Sequence, residues 1–507
     1  MIILDSLVSA IDQAVTLTNV LFIVAGVALG IFAGILPGVG TVTALSVLIP
    51  ITFYFPPLSA IAFLVGVMKG GTSGGAIPAI LINAPGTPEA AASALDGYPM
   101  ARRGEAGRAM KIALYSSVSG DTISDVILIL VAAPFAAFAL NFGPAEFTAA
   151  ILFSFALLSG IASGSLVKGL IATFLGVLLS TIGLDPVDSS PRMVFGEVEL
   201  FDGLPVLAVA VGSLAVASVL DQLFDLRAAR RGSEPTVEPT FDKETNRVGL
   251  GAFFSHWRTI IRSALIGSGV GMLPGLGVTL AAFLGYGAAR RASKSPESFG
   301  TGNPDGIVAT EAANSAVSGA NLIPTFALGI PGNIAAALLI GAFMIHGVVP
   351  GPLMMQLHAD LIYAVFVSML MANVVHLIIG RIGIPIWVMA ARAPRAAVLP
   401  VVLVLAAAGV YLPAQSLFQV AVMLAFAVLG LFMRRTGFSI VCMVIGFLLG
   451  PLLETSLRQS MLIYKSDLTI LVRSPIALFF IALTVLTLAL AVRRALRDAR
   501  QPPSEGA

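Results

Sequence analysis

The sequence predicts an all-α polytopic membrane protein: about ten to fourteen membrane segments in two inverted-topology repeats, each carrying a Pro-Gly-broken re-entrant hairpin. Three observations carry this. The chain has 507 residues, of which 57% are hydrophobic and 11% charged, with mean hydropathy +0.97; soluble domains carry about 25% charged residues. Helix-breaking motifs recur once per half: GILPGVG at Gly34–Gly40 against GMLPGLG at Gly271–Gly277, and IPAILINAPG at Ile77–Gly86 against IPTFALGIPG at Ile323–Gly332. Finally, the basic loops alternate between the copies. The second half follows its first motif with ARRASKSPES, where the first half has the uncharged ITFYFPPLS. The first half follows its second motif with ARRGEAGRAMK, where the second half has HGVVPGPLMMQLHAD. Under the positive-inside rule the copies should point in opposite directions.

The elements follow in chain order. MIILDSLVSAIDQ lacks the basic region and small-residue cleavage site of a secretory signal, so the first membrane helix is expected to double as the insertion signal. Apolar runs at Val20–Leu36, Val126–Leu140, Leu166–Ile182, Leu204–Leu220, Ala397–Tyr411, Val420–Phe432 and Pro475–Val492 read as membrane helices rather than the alternating strands of a barrel. The first half is expected over 1–224, with its broken hairpin at about 69–99. A polar cytoplasmic linker is expected over 225–256, and the second half over 257–474, with its hairpin at about 306–345. A last membrane helix and basic cytoplasmic tail fill 475–507. The Arg and Lys clusters, Arg434/Arg435 among them, are read as setting topology, and nothing supports a nucleic-acid role. Cys442 is the single cysteine and can form no internal disulfide. No histidine stands in an HExxH arrangement, so a metal site is unsupported.

The broken segments are the candidate substrate site. Through Asn83–Pro88 a continuous helix is disfavoured, because Pro85 and Pro88 lack amide donors and clash with the preceding turn. Backbone released from a helix must be buried in protein or line a wet cavity. Thr87 reads as a cap for a new helix with Pro88 at its first position, and Asn333 reads as the cap after Pro331–Gly332. Two half-helix N-termini, one per half, suit a small organic anion. The expected substrate-binding residues are Ser73, Asn83, Pro85, Gly86, Thr87, Asn314, Ser318, Pro331, Gly332 and Asn333. Gly38, Gly40, Gly275 and Gly277 are hinge or site-lining candidates, with close helix packing as the competing explanation. Among intramembrane charges, Lys69 either meets a substrate carboxylate or marks the membrane edge. Asp121, Asp125 and Glu311 are candidates for holding a coupling cation, proton or sodium; no other cofactor is called for.

The reading competes with an intramembrane serine hydrolase using Ser73, since Gly71–Gly74 spells GTSG and histidines occur downstream. Against it, the second copy keeps Ser318 but replaces the first glycine by Ala316, and a hydrolase needs no second copy.

From Val20 to Pro475 the chain resembles the large membrane subunit of the tripartite tricarboxylate transporters. The resemblance rests on PGVG at Pro37–Gly40, APGTP and DGYPMARRG within Ala84–Gly104, LVKGLIATFLGVLLSTIGLDPV at Leu166–Val187, PGLGVTLAAFLGYG at Pro274–Gly287, EAANSAVSGANLIP at Glu311–Pro324, and LGIPG with MIHGVVPGP within Leu328–Pro352. It implies secondary, ion-gradient-driven uptake of a di- or tricarboxylate across a bacterial inner membrane by alternating access. It also implies two partners, a small four-helix membrane subunit and a periplasmic solute-binding protein. The absence of a GxxxxGK[ST] P-loop agrees. Lys69 and Ser315 depart from the family's usual residues, so the identity of the carboxylate is not inherited.

Overall fold

The structure is a computed structural model describing residues 9–36, 39–162, 165–186, 188–228, 248–273, 277–391, 395–465, 467 and 469–498. Gly38, Gly275 and most of the expected linker lie outside the described residues. The principal helices of the first half are α1 (Leu17–Ile35), α2 (Gly40–Thr52), α3 (Pro57–Gly74), α4 (Ala76–Ile82), α5 (Ala90–Arg102), α6 (Ala106–Ala139), α7 (Pro144–Ala162) and α8 (Leu166–Ser180). Helix α9 begins at Val206–Ala210 and continues through a π-helical stretch, Val211–Val216, into Ala217–Ala228. The second half runs α10 (Trp257–Gly271), α11 (Gly277–Ala292), α12 (Pro304–Ala320), α13 (Leu322–Leu328), α14 (Ile334–Ile345), α15 (Ala359–Ile382), α16 (Ile384–Ala390), α17 (Arg395–Ala414), α18 (Leu417–Thr436) and α19 (Ile440–Ile463), followed by α20 (Pro475–Asp498). A two-stranded ribbon, β1 (Gly183–Leu184) with antiparallel β2 (Pro191–Arg192), precedes α9.

Among the described residues eight helices are long and apolar enough to cross a membrane, and five more apolar helices are shorter. The run expected at Val126–Leu140 is the second part of the 34-residue α6, which carries Asp121 and Asp125 inward. A hydropathy reading stops where charges begin. The helix does not, because those charges are paired inside the protein.

Glycine decides how closely the helices approach. In α1, Gly26, Gly30 and Gly34 recur every four residues and lie against the backbone of Phe63, Val67 and Gly71 in α3. Gly66, Gly70 and Gly74 of α3 return the contact to α1. The second half repeats the joint, with Gly267 and Gly271 of α10 against Ala313 and Val317 of α12. Small residues every four positions make one flat helix face, and dispersion between two backbones replaces the hydrophobic effect that lipid withholds.

Between halves the contacts exchange. Helix α12 packs on α6, and its counterpart α3 packs on α15; α8 packs on α19, and α18 packs on the π stretch of α9. The end of the first hairpin lies beside the start of the second, through Arg103 Nη2 donating to Gly302 O at 2.9 Å. The end of the second, Met344 and Ile345, shares a cavity of about 440 Å³ with Ile49, Pro50 and Phe53, just before the first begins.

A side chain at Gly30 has nowhere to go, since an added Cβ would stand 2.8 Å from Val67 Cα and 2.9 Å from its carbonyl carbon. Gly30→Val should therefore cost about 1–3 kcal/mol or more by overpacking. A lowered melting temperature of the detergent-solubilised chain checks this; an unchanged melt would show that the α1–α3 joint is not tight.

Candidate functional site

Both helix breaks have a local cause. The first hairpin's α4 ends at Asn83 in the left-handed conformation, φ 52°, with its N–H turned back to Pro78 O. In the second, α13 ends at Gly329, φ 70°, whose N–H reaches Pro324 O and Thr325 O. The two cap residues lie 246 positions apart, as do the two prolines. An asparagine or glycine tolerates this conformation where a branched residue does not. Beyond the breaks Gly86 packs against Gly34 O and Gly75 Cα, and Gly332 against Asn321. The chain thus folds back on its own hairpin with backbone touching backbone.

One cavity of about 860 Å³ lies between the halves and is lined by both breaks. Residues 39–43 and 86–89 come from the first half, and 277–280 and 333–335 from the second, with Met68, Thr72 and Ser318 from the hairpins. Several lining residues stand at matched offsets: Thr72 with Ser318, Thr87 with Asn333, Glu89 with Ala335, and Gly40 with Gly277. Gly40 (φ 64°) and Gly277 (φ 74°) turn the chain into α2 and α11 through a conformation that L side chains avoid. The lining is rich in hydroxyls. That of Thr41 is buried and has no hydrogen-bond partner among the described residues, and that of Thr87 is buried beside the Glu89 carboxyl group. A buried, unmatched donor is costly unless something else accepts from it.

Arg434 and Glu89 are the charged residues of this lining. Arg434 Nη1 stands 3.4 Å from Asp221 Oδ2, and Arg435 Nε stands 3.4 Å from Oδ1 of the same carboxylate. Arg435 also lies over the Phe224 ring, 4.6 Å from its centroid. One carboxylate between two guanidiniums leaves this end of the cavity net positive. From sequence Arg434 has only a topological role, because no local pattern links it to hairpins of which the nearer ends almost ninety residues before it.

Beside the cavity is a buried charge cluster. Lys69 Nζ donates to Asp125 Oδ2 at 2.8 Å and stands 3.5 Å from Asp121 Oδ1, all three side chains being inaccessible to solvent or nearly so. Asn373 Nδ2 donates to the same Asp125 oxygen at 2.7 Å. The structure therefore corrects both options for Lys69: it neither lines the cavity nor sits at a membrane edge. Glu311 accepts from Ser117 Oγ at 2.8 Å and from Ser93 Oγ. Asp96 Oδ1 accepts the N–H groups of Gly300, Gly302 and Asn303, each at 2.8 Å, just ahead of α12. A carboxylate there meets the positive end of the helix and ties one hairpin to the other.

The other expected residues separate. Gly40, Gly277, Gly86, Thr87, Ser318 and Asn333 line the cavity. Asn333 caps α14, its Oδ1 accepting from Ala336 N at 2.9 Å. Thr87 is no cap: α5 starts two residues later than expected, after Glu89, with no side-chain cap. Asn83 is exposed, and neither Pro85, Pro331 nor Gly332 lines the cavity; they shape the breaks. Asn314 is buried in α12, off the cavity, with its side chain beside the Glu311 carboxyl group. Ser73 also lies off the cavity, its Oγ 2.5 Å from His376 Nε2. That contact is the first requirement of an activated serine. The next one is missing: His376 Nδ1 has no partner, and the adjoining chamber measures about 30 Å³, mostly apolar. A peptide does not fit there.

A family model described as the tripartite tricarboxylate transporter TctA family matches residues 20–445. The chain belongs to that family. It is 34% identical over 498 residues, 98% of both chains, to an Agrobacterium vitis protein titled "Uncharacterized 52.8 kDa protein in TAR-I ttuC' 3'region". It is also 34% identical over 234 residues, 46% of this chain and 97% of the other, to an Agrobacterium vitis "Uncharacterized protein in TAR-II ttuC' 3'region". No solved structure matches. The family is one of transporters for tricarboxylates, and its apolar helices make the chain a multi-pass membrane protein.

Because Cys442 is buried and is the one cysteine, single cysteines can report the cavity. Val42→Cys and Thr279→Cys should react with a water-soluble maleimide at least about tenfold faster than Ser73→Cys, since thiol reactivity follows access. Equal rates at all three positions would contradict the placement of Ser73 outside the cavity.

Proposed function

We propose that the chain moves a small di- or tricarboxylate through the membrane by alternating access, binding it in the cavity between the two halves. The observation that carries this is the cavity's composition. Elements at matched positions of both halves surround it with hydroxyls and amides, the buried Thr41 hydroxyl lacks a partner, and Arg434 lines one end. A carboxylate accepts from all three groups, and charge-assisted bonds of this kind are about twice as strong as neutral ones. None of these contacts calls for bond making.

The exchanged contacts support inverted repeats: each hairpin begins where the other ends. With basic loops on the cytoplasmic side, the Arg434 end of the cavity faces the cytoplasm, and uptake ends there. The chain acts in the inner membrane, driven by an ion gradient, with the buried Asp121, Asp125 and Glu311 as the groups that couple to it. It receives cargo from a periplasmic solute-binding protein and works beside a small four-helix membrane subunit.

Radiolabelled citrate and other carboxylates, supplied to cells expressing the whole system, test the reading. Arg434→Gln should raise the KM for uptake about tenfold to a hundredfold, the loss of one charge-assisted bond of about 1.5–3 kcal/mol. Arg435→Gln, held away by Phe224, should change it less than about threefold. Equal effects would assign the pair to topology alone. For the repeats, Tyr54→Cys and Ser295→Cys, both at exposed positions, should be labelled from opposite sides of the membrane. Labelling from one side would defeat the inverted arrangement.

A further inference from the structure

The buried cluster holds its own cation. The structure puts the Lys69 ammonium between two carboxylates on one face of α6, Asp121 and Asp125, at 3.5 and 2.8 Å. Around it every packed element contributes something that can be counted. Helix α1 brings no charged side chain. Helix α12 brings Glu311, whose two oxygens already accept from Ser93 and Ser117. Helix α15 brings His376, engaged with Ser73, and Asn373, engaged with Asp125.

The residues of the cluster and their neighbours carry further oxygens that the ammonium does not engage. Asp125 Oδ1, Asp121 Oδ2, Asn373 Oδ1 and Ser124 Oγ are all buried and have no hydrogen-bond partner. Gly319 of α12 lies so close to Ser124 Oγ and Asp125 Oδ1 that an added Cβ would strike both. Carboxylates, an amide carbonyl and a hydroxyl, all buried and partly unmatched, form the donor set of a hard monovalent cation. An isolated carboxylate cannot stay ionised in such surroundings, and two cannot without a positive partner.

Resting on the reading that these acids belong to the coupling machinery, we infer that Lys69 is a tethered substitute for a sodium ion. Its ammonium occupies the place between Asp121 and Asp125 that a bound sodium would need, so the chain takes no sodium at this position. Removing the side chain beyond Cβ exchanges one positive charge for a vacancy. The space left by three methylenes and an ammonium exceeds the roughly 10–15 Å³ that a water-sized guest requires. A sodium ion entering there restores the original charge balance.

Melting of the purified full-length chain in detergent, in sodium or potassium chloride at equal ionic strength, tests this. The wild-type chain should melt at the same temperature in both salts. Lys69→Ala should melt lower in potassium and gain a saturable, sodium-specific rise of about 2–4 °C. Lys69→Ala with Asp121→Asn, which removes one of the two carboxylates, should lose that rise. A sodium-specific rise in the wild-type chain overturns the inference, and so does a folded Lys69→Ala that does not distinguish the salts. If Lys69→Ala does not fold in either salt, Lys69→Gln, which keeps a donor for Asp125, carries the same comparison. The melts need no cargo. A chain that carried no carboxylate would defeat the transport reading and leave this result standing, whereas sodium-driven stabilisation of the wild type would do the reverse.

Discussion

Inside hydrocarbon a peptide group without a partner costs several kcal/mol, and this multi-pass chain breaks two of its apolar hairpins. Everything around the interruptions answers that cost. Asn83 and Gly329 turn their N–H groups back onto carbonyls of the preceding turn. Gly86 and Gly332 let the chain return against its own hairpin without a side chain between. The hairpins must then be wrapped by protein, and α3 and α12 are buried almost throughout. The four-residue glycine spacing in α1 and α10 is the means of wrapping them closely. Where wrapping stops, at the tips, backbone and hydroxyls face a cavity instead of lipid.

The same enclosure permits the buried charges. Lys69 is among the largest fully buried side chains of the molecule, and an ammonium in that position is tolerable only beside a carboxylate. Two carboxylates beside one ammonium give a cluster that exceeds neutrality by one negative charge when all are ionised. That excess is affordable only with donors such as Asn373 at hand. The arrangement locks α3 to α6 and α15, so the first hairpin is tied to the scaffold by charge. The second hairpin has Ser315 at the matching offset and is tied to α6 by packing, Gly120 meeting Ala312, and by the Ser117 hydroxyl donating to Glu311 rather than by an ion pair.

How much of this could be read beforehand depended on the range of the interaction. The breaks were legible because proline, glycine and asparagine act on their own turn, and the Asn333 cap followed from its immediate neighbours. Thr87 reads as a cap by the same logic and is not one, because the irregular stretch extends through Pro88 and Glu89 and the Thr87 hydroxyl is taken up beside Glu89. Asp121 and Asp125 stood out as acids four apart, but their partner lies 56 positions from Asp125. Arg434 looked like any other residue of a basic turn. Its place in the cavity comes from α18 packing on α9, a contact no local pattern carries.

The cavity's symmetry bears on how it works. Thr72 and Ser318, Thr87 and Asn333, Gly40 and Gly277 present nearly equivalent groups from the two repeats. If the repeats exchange conformations during transport, a lining of that kind offers an anion the same welcome before and after. It cannot favour either state, since a ligand shifts an equilibrium only through unequal affinity. Preference has to come from residues that break the match. Glu89 faces the cavity where its counterpart is Ala335, Lys69 stands where its counterpart is Ser315, and Arg434 stands at one end only. All three are ionisable, and all three lie on or beside the cavity. The neutral, symmetric surface fits an anion. The asymmetric, ionisable residues are where unequal affinity between two states can arise.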